Sequence, residues 1–525
     1  MVFDSFFFIF IFLPVLLVGW FGLNRVNARA AEVFLIGMSL WFYGCFGTAC
    51  LVVLLLSIAL NYLFSRGITG RKGQLAAGVA ANLLLLGWFK YVTPAVSSAA
   101  EDSSALPTFL TLALPVGLSF YLFTQIYYLV DRYRGTIPQE PFLDYLLYAS
   151  YFPKLAEGPI TCYEEIMLQL RDPALRKVNG ENITRGFILF FLGMGKKLLI
   201  ADTLAPAATH GFASVYYLDT LSVILTLCCY ALQLYYDFAG FCDMAMGVSM
   251  MLNIRLPLNF DAPYRSTSFS DFWKRWHMTL TRFFTRNVYI PLGGSRRGTL
   301  RTWLNVMIVF LLSALWHGTG LTYLAWGAMT GILVIISRQW QRNRTGHKVP
   351  VGTAGREGTV SAKGGAGTGI RRRRRKAAGD DGLLSGDGVL RTAWRRVWNF
   401  ILFCLTLVFF GAPDLESSIV IFRKLLVPRF PGWLYRMAGQ LDAAEFWLVN
   451  KAVSLLAPTL ENPAALAELL FVLAVAFVLV FQKKTALQLS ESMELRPRTA
   501  VPVGILVVWC LTSLSGVSTY LYFQF

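Results

Sequence analysis

The sequence predicts an all-α, polytopic membrane protein, on three observations. Hydrophobic residues make up 55% of the 525 positions, and mean hydropathy is +0.53; soluble domains do not read this way. Long, nearly uncharged apolar runs recur along the chain, of the length a helix needs to cross a bilayer. The regular apolar–polar alternation of a membrane barrel is absent. In lipid the backbone must pair internally, so the spans are predicted to be helices.

Taken in order, spans are predicted at about 4–22, 31–46, 48–64, 76–93, 109–130, 186–203, 220–252, 302–317, 320–337, 394–412, 466–482 and 500–521. The first run, Phe6 to Leu23, lacks a basic flank and a small-residue cleavage site, and reads as a retained helix. Arg25 and Arg29 follow span one; Arg66, Arg71 and Lys72 follow span three; Arg132 and Arg134 follow span five. The loop between spans four and five carries Glu101 and Asp102 instead. This alternation predicts an extracytoplasmic N-terminus and cytoplasmic basic loops.

The net charge of +18 does not point to nucleic acid. Residues 338–396 hold 15 Lys/Arg against 4 Asp/Glu, between two apolar runs, as expected of a cytoplasmic loop. Residues 345–390, rich in Gly, Ala and Arg and containing Arg371 to Arg375, read as a disordered, solvated linker that can meet anionic lipid headgroups. The predicted organisation is a membrane core at 1–340, a basic linker at 341–393, and further helices with an extracytoplasmic loop at 394–525. The eight cysteines are scattered without a CxxC pair, which favours packing over metal or disulfide.

Two regions depart from the span pattern. The apolar part of FLDYLLYASYFPKLAEGPITCYEE, 142–165, is too short to cross, and Pro153 and Gly158–Pro159 interrupt it. Residues 253–300 are dense in Arg, Trp and Phe. Broken backbone at membrane depth is tolerated where it lines a protein-enclosed cavity, so both regions predict a chamber with re-entrant or short helices around it.

His317, in SALWHG, ends the apolar stretch Trp303 to Trp316. That stretch covers about 21 Å of helix, which predicts an intramembrane histidine. Ionisable residues there are functional candidates by default, and a histidine bonded across helices is the alternative. In SFSDFWKRWHMTLTRFFTRNVYIPLGGSRRG, 268–298, a helical register puts Trp273, Trp276 and His277 on one stripe, with Lys274, Arg275, Arg282 and Arg286 around it. Such an element suits a membrane interface. The Gly293–Gly294 turn with Arg296 and Arg297 is a candidate phosphate site, and equally a positive-inside loop. Asp237 and Asp243 interrupt an apolar run and predict a polar cavity, arginine partners, or an ion pathway.

The stretches YYDFAGFCDMAMG (235–247), NFDAPY (259–264), DFWKRWHMTL (271–280), YIPLGGSRRG (289–298) and LWHG (315–318) resemble the membrane-bound O-acyltransferases, in particular the branch that acetylates bacterial polysaccharides. LPVGLSFYLF (114–123) and FPKLAEGPI (152–160) add to the resemblance, which covers roughly residues 1–340 in order. The resemblance implies a helical fold around a central tunnel in a bacterial inner membrane. It implies His317 as catalytic base and His277 as a second catalytic site; Lys274, Arg275, Arg296 and Arg297 are candidates toward the donor by their charge. Asp237, Asp243 and Trp316 would belong to the polar cavity. It also implies acetyl-CoA as the donor, no bound metal, a polysaccharide such as alginate or cellulose as final acceptor, and an extracytoplasmic acetyltransferase as partner. D-alanyl transfer to teichoic acid is the nearer alternative; a proton-coupled transporter is the other, disfavoured by the lack of a repeated half. Asn287 stands where the resemblance calls for an aspartate, and the basic insert is unusual for the branch.

Overall fold

The computed structural model describes residues 1–99, 113–345, 388–427, 434–440, 446–457, 459 and 461–515. Glu101, Asp102 and the linker with Arg371 to Arg375 lie outside the described residues. Among the described residues the regular elements are all helical.

Among the described residues, seven helices are long and apolar enough to cross a membrane: Thr48–Ser65, Lys72–Ser98, Thr220–Met251, Thr299–His317, Leu321–Asn343, Val389–Gly411 and Glu461–Val480. The 32-residue Thr220–Met251 helix is the hub. Its most apolar window is 83% buried inside the protein, against 28–39% for the other six, which leave most of their surface outward. Its main neighbour is Gly180–Gly195. Glycines let the two backbones touch: a Cβ on Gly193 would fall 2.6 Å from the Gly240 carbonyl, and one on Gly186 would fall 2.6 Å from that of Gly247. Small residues at such crossings replace the hydrophobic driving force that lipid does not supply.

The span predicted at 109–130 is different in the structure. The helix is Leu118–Arg134, buried along nearly its whole length inside the protein. It starts after Gly117, which has φ +71°, where a Cβ would fall 2.4 Å from the Leu155 carbonyl. Gln125 on this helix accepts from Ser57 at 2.7 Å and from Asn61, which also donates to Asn82 at 3.0 Å. Hydrogen bonds between interior polar groups thus tie three helices together, with Gln125 Nε2 buried and unbonded among the described residues.

The two predicted irregular regions do not cross. Residues 142–171 form Phe142–Ser150, a single turn Phe152–Leu155, and Tyr163–Arg171. Residues 269–289 form Phe269–Arg275, Met278–Phe284 and a π-helical turn, Thr285–Tyr289. They lock together inside the molecule. Arg282 pairs with Glu165 and donates to the Ile160 carbonyl at 3.0 Å; Ile160 N–H donates to Thr279 at 3.1 Å; Arg286 pairs with Asp131. Such charge-assisted bonds anchor an irregular backbone that no helix ladder holds.

Candidate functional site

His317 is the last residue of Thr299–His317 and is 5% exposed. That helix begins four residues before Trp303, so its 19 residues suffice by length to cross a membrane. Enclosure of His317 therefore comes from packing and not, as predicted, from a helix that stops short. Its ring lies edge-on to Trp326 and Phe410, both at 5.2 Å between centroids. The end of the helix is held from outside. At the π-helical turn Trp88–Val92, Lys90 donates its ammonium to the Trp316 carbonyl, and Tyr91 donates to the Leu315 carbonyl at 3.0 Å. These carbonyls are among the orphan acceptors of a helix C-terminus, where a cation also suits the dipole. A π-turn is a common device for aiming such side chains at functional sites. Gly318 is required by shape: a Cβ there would lie 2.0 Å from the Tyr323 ring.

His277 does not sit on the predicted helical stripe. The helix ends at Arg275, Trp276 is extended, and His277 takes φ +46° before the next helix begins. Left-handed backbone in a non-glycine residue is held by its surroundings. Trp276 and His277 are both buried, so the segment is interior and not an interfacial anchor. The constraint is Asn259, which is 0% exposed. Its Oδ1 accepts from Thr279 N–H at 3.2 Å and Thr279 Oγ1 at 3.0 Å, and lies 3.1 Å from His277 Nδ1. An oxygen already serving as acceptor makes His277 Nδ1 the donor. His277 Nε2 then carries a lone pair, and this buried atom has no partner among the described residues. Trp316 stands between the two histidines, 6.0 Å from the His277 ring and 4.6 Å from that of His317.

Both histidines line one cavity of about 110 Å³. Its walls also include Lys274, Trp273, Trp276 and Trp326, and Phe403 and Phe410 close it from the Val389–Gly411 helix. The indole N–H groups of Trp273 and Trp326 are buried without a partner among the described residues. Lys274 is exposed at the cavity's edge, whereas Arg275 is turned to Asp271 at 3.0 Å and Asp261 at 3.4 Å. Arg296 and Arg297 are exposed on the turn that precedes Thr299, outside the cavity wall.

Asp237 and Asp243 are not part of this cavity, a correction to the predicted polar chamber. Their partners are lysines and not the predicted arginines. Lys197 bridges Asp237 at 2.8 Å and Asp202 at 2.7 Å, and Lys196 holds Asp243 at 2.5 Å. These pairs tie the Lys196–Ala201 turn to the hub helix, so the relay a transporter would need does not converge on His317. Trp316 likewise packs among Phe120, Phe123 and His277 instead of facing the cavity. Asn287 lies on the Thr285–Tyr289 turn with its amide buried and without a partner among the described residues.

Sequence reasoning did not assign Asn259, Lys90, Tyr289 or Arg338. Asn259 stood in a quoted motif, and Lys90 was a lone cation in an apolar run. Arg338 was counted with the basic linker, yet it lines the cavity.

Residues 107–348 match the membrane-bound O-acyltransferase family. A peptidoglycan O-acetyltransferase of Helicobacter pylori is 35% identical over 373 residues, covering 65% of this chain and 71% of the relative. A probable alginate O-acetylase of Pseudomonas putida is 36% identical over 351 residues, 64% of this chain and 71% of the relative. A teichoic acid D-alanyltransferase of Bacillus subtilis is more distant, 24% identical over 308 residues, 53% of this chain and 78% of the relative.

Proposed function

The chain belongs to the membrane-bound O-acyltransferase family, and on that premise we propose that it takes acetyl groups from a cytoplasmic thioester and delivers them for O-acetylation of a cell-envelope polysaccharide. The observation that carries this reading is the pair of imidazoles on one enclosed cavity, His277 and His317. The acetylating relatives match at higher identity than the D-alanylating one, which favours acetate as the group moved.

In this mechanism His317 takes the proton of the acceptor hydroxyl as its oxygen bonds to the thioester carbonyl carbon. The C–S bond then breaks, and the departing thiolate takes that proton back from the imidazolium, so the protein ends as it began. The Trp326 N–H, beside His317, is the wall donor best suited to the oxyanion; Arg275 is occupied by its carboxylates. His277, locked as the Nδ1–H tautomer, offers Nε2 as an acceptor toward an N–H of the bound donor. The proposed acetyl-CoA donor enters from the basic end, with Lys274 at the edge and Arg296 and Arg297 outside it. The acceptor, or a partner acetyltransferase that relays the group to polymer, approaches from the extracytoplasmic face of a bacterial inner membrane.

The test is chemical analysis of the envelope. Cells lacking the native gene are complemented with the wild-type protein or with His317→Ala at equal levels. Acetate and D-alanine released by base are measured on each purified polymer. The expected result is acetate restored by the wild type and at background for His317→Ala, with D-alanine unchanged; full acetylation by the variant would sink the assignment of His317.

A further inference from the structure

Away from the histidine cavity, an open cleft of about 850 Å³ lies between the hairpin of Leu13–Asn24 and Ala28–Gly44 and the segment that follows Tyr163–Arg171. We propose that this cleft seats the phosphate headgroup of an anionic phospholipid whose acyl chains lie along the hairpin. The seat takes no part in the transfer chemistry above.

Charge is the first ground. Arg25, Arg29, Arg171, Arg176 and Lys177 line the cleft against a single carboxylate, Glu32. Three of these cations are committed within the fold. Arg176 pairs with Glu32 at 2.6 Å, Arg29 is shared between Glu32 at 2.6 Å and Asp144, and Arg171 is shared between Glu140 at 2.5 Å and Asp144 at 2.7 Å. Asp144 belongs to Phe142–Ser150, so the pairs tie three elements together and fix the shape of the cleft before any ligand arrives. Arg25 and Lys177 are exposed and form no ion pair among the described residues. Arg176, with 12% of its side chain exposed, keeps a buried Nη1 without a partner among the described residues. A cleft with two uncommitted cations on a rigid frame suits an anion with several acceptor oxygens, and a phosphate has them.

The apolar surroundings make that phosphate a lipid's. Phe21, Ala28, Pro173 and Val178 supply the rest of the wall. On Leu13–Asn24 the exposed Val15, Val18 and Gly22 share one face with Arg25; on Ala28–Gly44 the exposed Val33 and Gly37 share one face with Arg29. A Cβ on Gly22 or Gly37 would meet no atom within 4 Å, so both rows are open. Each row is apolar and ends on a cation of the cleft. An acyl chain can lie along it while its phosphate meets the arginine; a soluble phosphate would use only the charged end. The charge of Arg25 and Arg29 predicts the cytoplasmic side for this end, where basic pockets between membrane helices suit anionic headgroups.

The experiment titrates the full chain in detergent micelles with phosphatidylglycerol and with phosphatidylethanolamine, and reads the lipid-bound fraction by native mass spectrometry. Phosphatidylglycerol should bind at least tenfold more tightly. Arg25→Gln and Lys177→Gln should each weaken it about 5-fold, and together about 30-fold, with phosphatidylethanolamine unchanged. The control is Arg66→Gln/Lys72→Gln, which removes two exposed charges from another basic loop outside the cleft and should have no effect. Glycerophosphoglycerol and coenzyme A, phosphates without acyl chains at the headgroup, should fail to displace the lipid.

Equal affinity for the two lipids, or as large a loss in Arg66→Gln/Lys72→Gln, would overturn the seat, because surface charge alone would then account for binding. Displacement by either soluble phosphate at concentrations comparable to the lipid would overturn the lipid as occupant. The readout involves no acyl transfer, so its failure leaves the proposed function standing, and loss of that function leaves the seat.

Discussion

Asn259 receives His277 Nδ1 at 3.1 Å, and through that one contact it decides which nitrogen of the histidine faces the cavity. The asparagine is itself fixed, since Thr279 donates twice to its oxygen and its amide donates toward Cys242 Sγ at 3.3 Å.

Asn259→Ala is therefore expected to lower acyl transfer at least tenfold. It frees the imidazole to flip tautomer and leaves buried donors unmatched, at a cost of about 1–3 kcal/mol. Cys242→Ala, which removes only the weak acceptor behind the amide, should change the rate by less than a few-fold. Rates and thermal midpoints of both variants in detergent check this. Wild-type turnover by Asn259→Ala would mean that His277 needs no orientation.

Lys90 supplies a second expectation. It holds the Trp316 carbonyl, one residue before His317, from a helix far away in sequence. Lys90→Met keeps the length of the side chain and removes the donor. It should cost about 1–2 kcal/mol of stability, the usual range for a cation at a helix C-terminus and a bond to a charged group. Transfer should fall about tenfold because His317 loses its fixed end, and Lys90→Arg should recover part of both. A variant with unchanged rate would show that packing by Trp326 and Phe410 alone positions the imidazole.

Much of this was legible in the sequence. Apolar runs of spanning length located the helices, and the two irregular regions were marked by Pro153, Gly158 and the density of Arg and Trp at 253–300. His317 and His277 were singled out, and the structure brings them to one cavity. The failures have a common physical cause. A helical register was extended through Trp276 and His277, where tertiary bonds to Asn259 override it. The Leu118–Arg134 helix is apolar because protein surrounds it, and hydropathy does not distinguish that from lipid. Partners distant in the chain, such as Lys90 with Trp316, leave no local pattern to read.

The lysine–aspartate pairs are expected to act in folding and not in transfer. Lys197→Met leaves two carboxylates, Asp237 and Asp202, short of a buried cation. Loss of one member of such a set costs about 3–5 kcal/mol. The double variant Lys197→Met/Asp237→Leu should regain much of that stability, since an apolar pair of similar volume can replace a buried ion pair. Its transfer rate per folded molecule should stay within a few-fold of wild type. Complete loss of transfer in a stable double variant would return these residues to the reaction.

The last prediction fixes the direction of the whole reaction. Arg296, Arg297 and Arg301 share one end of the hairpin with Arg338 and Arg342, because Arg342 reaches Thr299. Basic loops tend to stay on the cytoplasmic side, so this end and the cavity mouth beside it are predicted to face the cytoplasm. Cys45 reports on the other side: it is exposed and follows the Ala28–Gly44 helix, at the end away from Arg25 and Arg29. In intact cells with a permeabilised outer membrane, a membrane-impermeant thiol reagent should label the native Cys45. In a Cys45→Ser background, a cysteine placed by Thr299→Cys should be labelled only after the inner membrane is opened. Reversed labelling would put Arg338 and the cavity mouth outside the cell, where no thioester pool exists. The donor would then have to enter past Gly318, from the end at which Lys90 and the Tyr323 ring close the site.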